Sequence, residues 1–316
     1  MSKNHTVCPS CNSTKSEVYL KGCKDILYGF SGEWDLIKCL ECDLVYTIPP
    51  LNETNVNDFY PKNYLPYKTS QSVQNHPIGK IFRRIAVSPY TLRYGEIEWN
   101  ELPFGNGQLL EIGCGAGGFL NRATTLGWEC CGIDISPFAV EAATKNAPKA
   151  KIFQGSLDEI NFNKKFDVIK MAHVLEHLPN PMETLKACFE LLEPGGKLII
   201  EIPNLSSLEA KFFGRHWTGL DIPRHIIHFN KSVIKNLLND IGFSVLRIKP
   251  IFFASSIFES LITYFPNDIR SYMLGSPIGR FIYFLIVFPA CLSYLMGNWG
   301  VIEVIAQKPY ASKESL

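Results

Sequence analysis

Two cysteine pairs stand near the start of the chain, Cys8-Pro9-Ser10-Cys11 and Cys39-Leu40-Glu41-Cys42, with 27 residues between Cys11 and Cys39. A C-x-x-C turn lets two thiolates reach one ion, and two such turns complete a tetrahedral S4 site. Cys8, Cys11, Cys39 and Cys42 are therefore read as ligands of a structural zinc; a redox pair and chance spacing are the other readings. Such a site keeps no open coordination position, so no chemistry is assigned to it. Further on, Gly113, Gly115 and Gly118 fit G-x-G-x-x-G, and Gly117 adds another glycine. Glycines turn the chain sharply and let backbone approach a ligand. Asp134 follows about twenty residues later, the range in which a carboxylate grips a ribose hydroxyl. Two histidine-bearing stretches complete the set: His173-Val174-Leu175-Glu176-His177, and Trp217 to Phe229 with Asp221, Arg224, His225 and His228. Imidazole is the side chain suited to moving a proton near neutral pH.

The surrounding pattern supplies elements to hold these residues. Leu109–Ile112 reads as the end of a buried strand, 119–126 as a helix and Glu129–Ile135 as a second strand. Ser136-Pro137 reads as an N-cap followed by proline at the first helical position, opening a helix that runs to about Asn146. Strands follow at 151–153, 166–172, 197–202 and 243–249, with helices at 185–192 and 231–241; the first of these helices stops at Glu193-Pro194-Gly195-Gly196. Val301–Gln307 alternates and closes the sheet. This is an α/β pattern: a Rossmann-like seven-stranded, mostly parallel sheet with helices on both faces. Ligands of such sheets sit beyond the carboxyl ends of the strands. Gly113 to Gly117, Asp134, Ser156, His173 and Asn204 all fall at such ends.

The chain divides into a zinc ribbon (1–48), a linker (49–77), the α/β domain (78–250), an apolar helical insertion (251–299), and a last strand with its tail (300–316). Tyr19, Leu20, Ile26, Leu27 and Tyr28 are the expected strand residues of the ribbon. Cys23 is read as a plain thiol. The linker is rich in Pro, Asn, Tyr and Ser. Its Tyr60, Tyr64 and Tyr67 either reach over a substrate or pack the linker onto the core. The stretch 78–99 has helical spacing. Phe281 to Met296 runs 16 residues without a charge, is interrupted by Pro289 and follows Arg280. A membrane-spanning helix needs about 20 residues. A buried helix, an interfacial membrane helix and a true span compete for this stretch. With 31 basic and 30 acidic side chains the net charge is +1, which gives no electrostatic footprint for nucleic acid. Met1 to Thr14 is polar and shows no signal peptide. Ten cysteines without a disulfide pattern point to a reducing cytoplasm.

A lone glycine pattern suits NAD equally well. Glu111, two residues before Gly113, tilts it, because an acidic group there favours a cationic ligand over a pyrophosphate. Taken together, Leu109–Leu120, Gly132-Ile133-Asp134-Ile135-Ser136, 166–178 and 192–204 resemble a class I S-adenosylmethionine (SAM) methyltransferase over roughly residues 90 to 250. The resemblance implies SAM as cofactor, held by Glu111, Gly113, Gly115, Gly117, Asp134, Ile135, Ser156, Leu157 and His173. Ser156 and Leu157 would border the adenine and His173 the methionine part. It also implies that the last strand is antiparallel.

SAM presents an electrophilic methyl group, so the protein must align an acceptor and remove its proton. His225, His173 and His228 are the candidate catalytic residues. The alternative for the Trp217–Phe229 stretch is a structural knot, with Asp221 paired to Arg224 and His228 capping a turn. A divalent-metal reading of His173, Glu176, His177 and His225 or His228 also stands, as does one in which Glu176 and His177 only cap and orient neighbours. The knot resembles one in methyltransferases of sugar and cell-envelope pathways, some of which carry an N-terminal zinc ribbon. The implied acceptor is a nucleotide- or lipid-linked sugar, methylated on carbon or oxygen. A ribbon-bearing RNA methyltransferase, and a membrane-surface protein that binds SAM without turnover, are the rivals. Membrane contact would run through 281–296.

Overall fold

The computed structural model describes residues 7–51, 56–59, 106–251, 254–279, 281–283, 285–286 and 298–310. Tyr60, Tyr64 and Tyr67, the stretch 78–99 and positions 287–296 lie outside them. The N-terminal segment folds into antiparallel strands β1 (Ser16–Cys23), β2 (Trp34–Cys39) and β3 (Val45–Ile48). Tyr19 and Leu20 lie in β1, but Ile26 to Tyr28 form a turn, not the second strand expected of them. The cause is local: Asp25 Oδ1 accepts the N–H groups of Leu27 at 3.0 Å and Tyr28 at 2.9 Å, an Asx turn that diverts the chain. The partner of β1 is therefore β2.

Five strands follow, β4 (Gln108–Ile112), β5 (Glu129–Asp134), β6 (Lys151–Gln154), β7 (Phe166–Ala172) and β8 (Leu192–Pro203), with α-helices after β4, β5 and β7 and only turns between β6 and β7. After the two-residue β9 (Ile227–His228) come β10 (Ser244–Ile251) and β11 (Val301–Gln307). The seven-stranded sheet has the order β10-β11-β8-β7-β4-β5-β6. β4 to β8 pair in parallel, while β11 runs antiparallel to both β8 and β10. The helix expected to stop at Glu193–Gly196 does end there, at Leu191, but β8 starts at Leu192, five residues before expectation, and its register with β7 shifts between Phe166 and Val168.

Period-two alternation buries both faces. Leu109, Val168 and Ile199 face α1 (Gly118–Thr125) and α2 (Pro137–Asn146), packing with Leu120, Ala123 and Ala143. Leu110, Ile112, Ile169 and Met171 share the opposite cluster with Leu185 and Cys188 of α3 (Pro181–Leu191). The α4 helix (Leu208–Phe213) follows β8, and α5 (Lys231–Ile241) adds Val233, Ile234, Leu237 and Leu238 to that second cluster. Capping sets the helix ends. Ser136 accepts from the Ala139 N–H and Asn230 from the Val233 N–H, and Gly242 closes α5 at φ 107°. α3 starts at Pro181, four residues before expectation, because proline suits the first helical position.

The N-terminal sheet does not end at residue 48. Its fourth strand is β9, paired with β3 through Val45↔His228 and Tyr46↔Ile227. Beside this seam Arg224 is fully buried (0% exposed) between two carboxylates. It donates to Asp25 at 2.8 and 3.0 Å and to Asp221 at 2.9 and 2.6 Å, with the Tyr28 ring 4.5 Å away. Towards the C-terminus, α6 (Ala254–Ile262) and α7 (Asn267–Gly275) bring Phe258, Ile262 and Met273 together against Ile282, Tyr283 and Ile286. Phe281 and Leu285 face outward, 62% and 56% exposed. Among the described residues no helix is long and apolar enough to cross a membrane.

Burial alone would raise the Asp25 carboxyl, but Arg224 and the Tyr28 and Leu27 N–H groups overcome it and hold the pKa below its ordinary value. Folding stability from this group is thus present above the ordinary carboxylate pKa and lost as pH falls through the folded value. Asp25→Asn leaves a buried guanidinium short of one partner. Urea unfolding at neutral pH is expected to show a loss of about 3–5 kcal/mol, and the variant to lose less further stability in acid than the parent.

Candidate active site

The carboxyl ends of β4, β5 and β7 meet at one place because Ile112 pairs with both Ile133 and Met171. The chain beyond β4 turns through Gly113, Gly115 and Gly117 at φ 69°, 51° and 75°, a region unfavourable to residues with a Cβ. Space enforces the same choice. A Cβ on Gly113 would lie 2.4 Å from Val174 Cγ2, and one on Gly117 2.9 Å from the Ala143 Cα. The loop is held from outside as well: the Gly113 and Cys114 N–H groups donate to the Ile133 carbonyl at 2.8 and 3.0 Å. Asn146, which sequence reasoning used only as a helix end, donates to the Ala116 carbonyl at 2.9 Å.

Asp134 closes the loop. Its Oδ2 accepts the Gly115 N–H and its Oδ1 the Ser136 N–H, both at 2.9 Å. Burial raises its pKa, and the two N–H groups offset only part of that. Ile135, the next residue, is 63% exposed and offers an apolar surface beside the loop. Glu111 is buried behind it. Gly155 donates to the Asp134 carbonyl at 3.0 Å, which brings Ser156 and Leu157 to the same end. Glu159, which the sequence did not single out, fixes that turn by accepting the Ser156 N–H at 2.8 Å. Asn204 behaves otherwise. It is fully buried, donating to the Trp299 carbonyl at 3.2 Å and accepting from Ser206, so it braces the chain instead of facing a ligand.

His173 follows β7 at φ 54°, with its N–H on the Glu201 carbonyl at 2.9 Å. Its side chain is 39% exposed, and its Nδ1–H donates to Glu176 Oε1 at 3.2 Å. Glu176, at 1% exposed, is the buried partner of a half-open imidazole. Partial burial pushes the His173 pKa down, but the Glu176 hydrogen bond and charge outweigh it, and the net shift is upward. The same pair holds Glu176 at about 2 against the opposing effect of burial.

The other histidines form the wall behind Glu176. His225 Nε2 lies 4.0 Å from Glu176 Oε1 and 3.8 Å from Asp221 Oδ2, and its Nδ1–H donates to the Gly219 carbonyl at 2.9 Å. His177 Nδ1–H donates to the Arg224 carbonyl at 3.0 Å. Burial and the neighbouring His225 push His177 down to about 4 and His228 to about 3, so both are neutral at pH 7. His228 Nε2–H donates to Thr47 Oγ1 at 3.0 Å, across the pairing of β3 with β9. His225 and His228 pack with Leu205, Trp217 and Phe229. Of the set weighed for a divalent ion, Glu176, His177 and His225 converge within 4.8 Å of one another, while His173 and His228 do not join them. Glu176 and His177 cap no α-helix; they sit in the 3-10 turn Leu175–His177.

Cys8, Cys11, Cys39 and Cys42 converge as the spacing required. Cys8 and Cys42 Sγ atoms lie 3.6 Å apart, as do those of Cys11 and Cys39. Four thiolates at about 2.3 Å from one tetrahedral ion would sit about 3.8 Å apart, so the cluster has the size of such a site. Burial raises the Cys8 and Cys42 thiols, whereas at Cys39 burial is outweighed by the N–H groups of Cys42 and Glu41, which bring it down to about 7. Cys23, by contrast, is a buried core thiol.

Against known proteins, residues 83–248 match a family described as a methyltransferase domain. The chain is 30% identical over 150 residues to a ubiquinone biosynthesis O-methyltransferase of Cereibacter sphaeroides, covering 44% of this chain and 60% of that one. It is 32% identical over 148 residues to the protein of the same name from Albidiferax ferrireducens, covering 43% and 59%. The chain thus spans about three fifths of the length of the curated relatives it matches. Among solved structures, magnesium protoporphyrin IX methyltransferase from Synechocystis PCC 6803, with bound SAH, superposes with a TM-score of 0.51 at 15% identity. That match covers 81% of this chain and 100% of that one, and it supports the fold alone. The family match runs over more than half of the 316 residues, so the chain belongs to the methyltransferase domain family, and the elements from β4 to β8 are those of a class I SAM-dependent methyltransferase domain.

Proposed function

We propose that the protein transfers a methyl group from SAM to a small-molecule acceptor, with His173 as the base and Glu176 as the carboxylate that orients it. The observation that carries this reading is the His173–Glu176 pair, a 39% exposed imidazole hydrogen-bonded at 3.2 Å to a buried carboxylate. It stands at the strand end next to the glycine loop, whose Gly113 abuts Val174. With Nδ1–H committed to Glu176, Nε2 is the atom that takes a proton. His225 and His228 are 7% and 5% exposed, and both sit deeper than His173. They pack behind Glu176 with Trp217 and Leu205.

SAM, when bound, supplies a methyl group activated by its positively charged sulfur. Glu111 and Asp134 give the pocket two acidic groups suited to a sulfonium donor. The glycine loop, which admits no Cβ, gives backbone close access to it, with Ile135, Ser156 and Leu157 along the nucleoside side. The chain's own residues hold the acceptor against His173 and carry its proton away.

For the acceptor, the reading is a nucleotide- or lipid-linked sugar, supported by the ribbon and the Asp221–Phe229 knot occurring in one chain. A hydroxyl acceptor is favoured by the relatives' description as O-methyltransferases. The outward Phe281 and Leu285 support contact with a membrane surface where a lipid-linked acceptor would be met. The cysteine cluster is assigned a structural zinc.

A labelled-methyl screen over nucleotide sugars and lipid extracts tests the function; no labelled product, or label only in RNA, removes the reading. With an acceptor in hand, His173→Gln is expected to lower turnover on the order of a hundredfold, and His225→Ala less. Parental turnover should rise with pH through the raised His173 value. Asp134→Ala is expected to weaken SAM binding by about 1–3 kcal/mol in calorimetry, and an unchanged affinity would exclude the ribose role. Elemental analysis of the purified chain is expected to give about one zinc per chain, and a folded, zinc-free protein would remove that assignment.

A further inference from the structure

The N-terminal sheet touches the candidate site through two side chains that no motif contains. Thr47, 1% exposed on β3, sits at a crossing of hydrogen bonds. Its Oγ1–H donates to the His225 carbonyl at 3.0 Å while the same oxygen accepts from His228 Nε2 at 3.0 Å. Its backbone N–H donates to the Ile226 carbonyl at 2.9 Å, and the Ile226 N–H donates in turn to the Glu176 carbonyl at 3.0 Å. Asp25 holds the adjoining residue, Arg224, whose carbonyl accepts the His177 ring N–H. An unbroken ladder therefore runs from β3 through residues 224–228 to the turn that carries Glu176.

We propose that the N-terminal sheet is a positioning element of the active site: Thr47, with Asp25, sets the 221–229 segment and through it the place of Glu176 against His173. This rests on the reading of His173 and Glu176 given above. Thr47 touches no reacting group; it acts through hydrogen bonds that fix the His228 tautomer and the backbone on which Glu176 leans. The charged groups that face His173 are Glu176, Glu201 and Lys170, and Lys170 is itself tied to Glu201 at 2.6 Å. Of these, Glu176 alone stands on the ladder, so loss of Thr47's bonds changes one partner of His173 and leaves the other two.

The experiment is an NMR titration of the histidine rings in the full zinc-loaded chain, with the His173 signal assigned through His173→Gln. In Thr47→Val the His173 pKa is expected to fall toward or below the ordinary histidine value, and in Thr47→Ser to return to the parental one. SAH affinity, read by calorimetry, should be the same in both. A folded Thr47→Val with the parental His173 pKa, or a Thr47→Ser with the same fall as Thr47→Val, overturns the proposal. Glu176→Gln is the control. If it leaves the His173 pKa unmoved, the His173–Glu176 reading itself fails, a result independent of Thr47. Should Thr47→Val not fold, amide hydrogen exchange of the parental chain decides. Thr47 and Ile226 exchanging with one common opening supports the ladder, and separate openings exclude it.

Discussion

A guanidinium removed from water must be met on all sides, and Arg224 is the group on which this architecture turns. Isolated, such a charge would cost many kcal/mol; met by two carboxylates, a carbonyl and an aromatic face, it is tolerated only when those partners are all in place. Asp221 lies three residues away, but Asp25 comes from the far end of the chain and the Phe59 carbonyl from the segment between. The requirement to neutralise one cation thus joins the N-terminal sheet to the segment following β8. The β3–β9 pairing completes this seam with backbone bonds. Buried ion pairs are weak sources of net stability but strong penalties when half-formed. That asymmetry specifies how the segments fit even where it adds little to the folding free energy.

The same logic of compensated burial runs through the site. Glu176 is nearly inaccessible, yet its carboxylate is kept ionised by His173 at its edge and His225 behind it. His177, partly buried, and His228, buried, are kept neutral, each with one ring N–H assigned to a fixed acceptor. One imidazole of the cluster, His173, is left both raised in pKa and open to the surface, a difference that follows from environment alone. The glycine loop and Asp134 form a second preorganised unit. Backbone N–H groups are satisfied by Asp134 and Ile133, and these bonds hold the loop in its left-handed turns.

The seven strands, their order of appearance and most of their ends were legible in the sequence, because burial on two faces demands apolar runs and because caps such as Ser136 and Gly242 act locally. The boundaries missed were those where a local group competes with the pattern. Asp25 turns Ile26–Tyr28 out of the expected strand, Pro181 starts α3 early, and β8 begins at Leu192 and takes in the Glu193–Gly196 turn. The cysteine cluster and the Gly113–Asp134 unit were likewise legible, since a C-x-x-C turn and a strand-glycine-helix turn each fix their geometry within a few residues.

What lay beyond the sequence was every relation across long separation. The chain alone determined that an α/β sheet would present glycines, Asp134 and His173 at its strand ends, for these depend on periodicity and short-range stereochemistry. It could not show that His225 is buried more deeply than His173, that Asn204 is consumed internally, or that Thr47 and Asp25 are neighbours of residues some 180 to 200 positions away. Those outcomes depend on solvent exclusion and charge compensation, which exist only once distant segments have packed together, and the tertiary structure alone decided them.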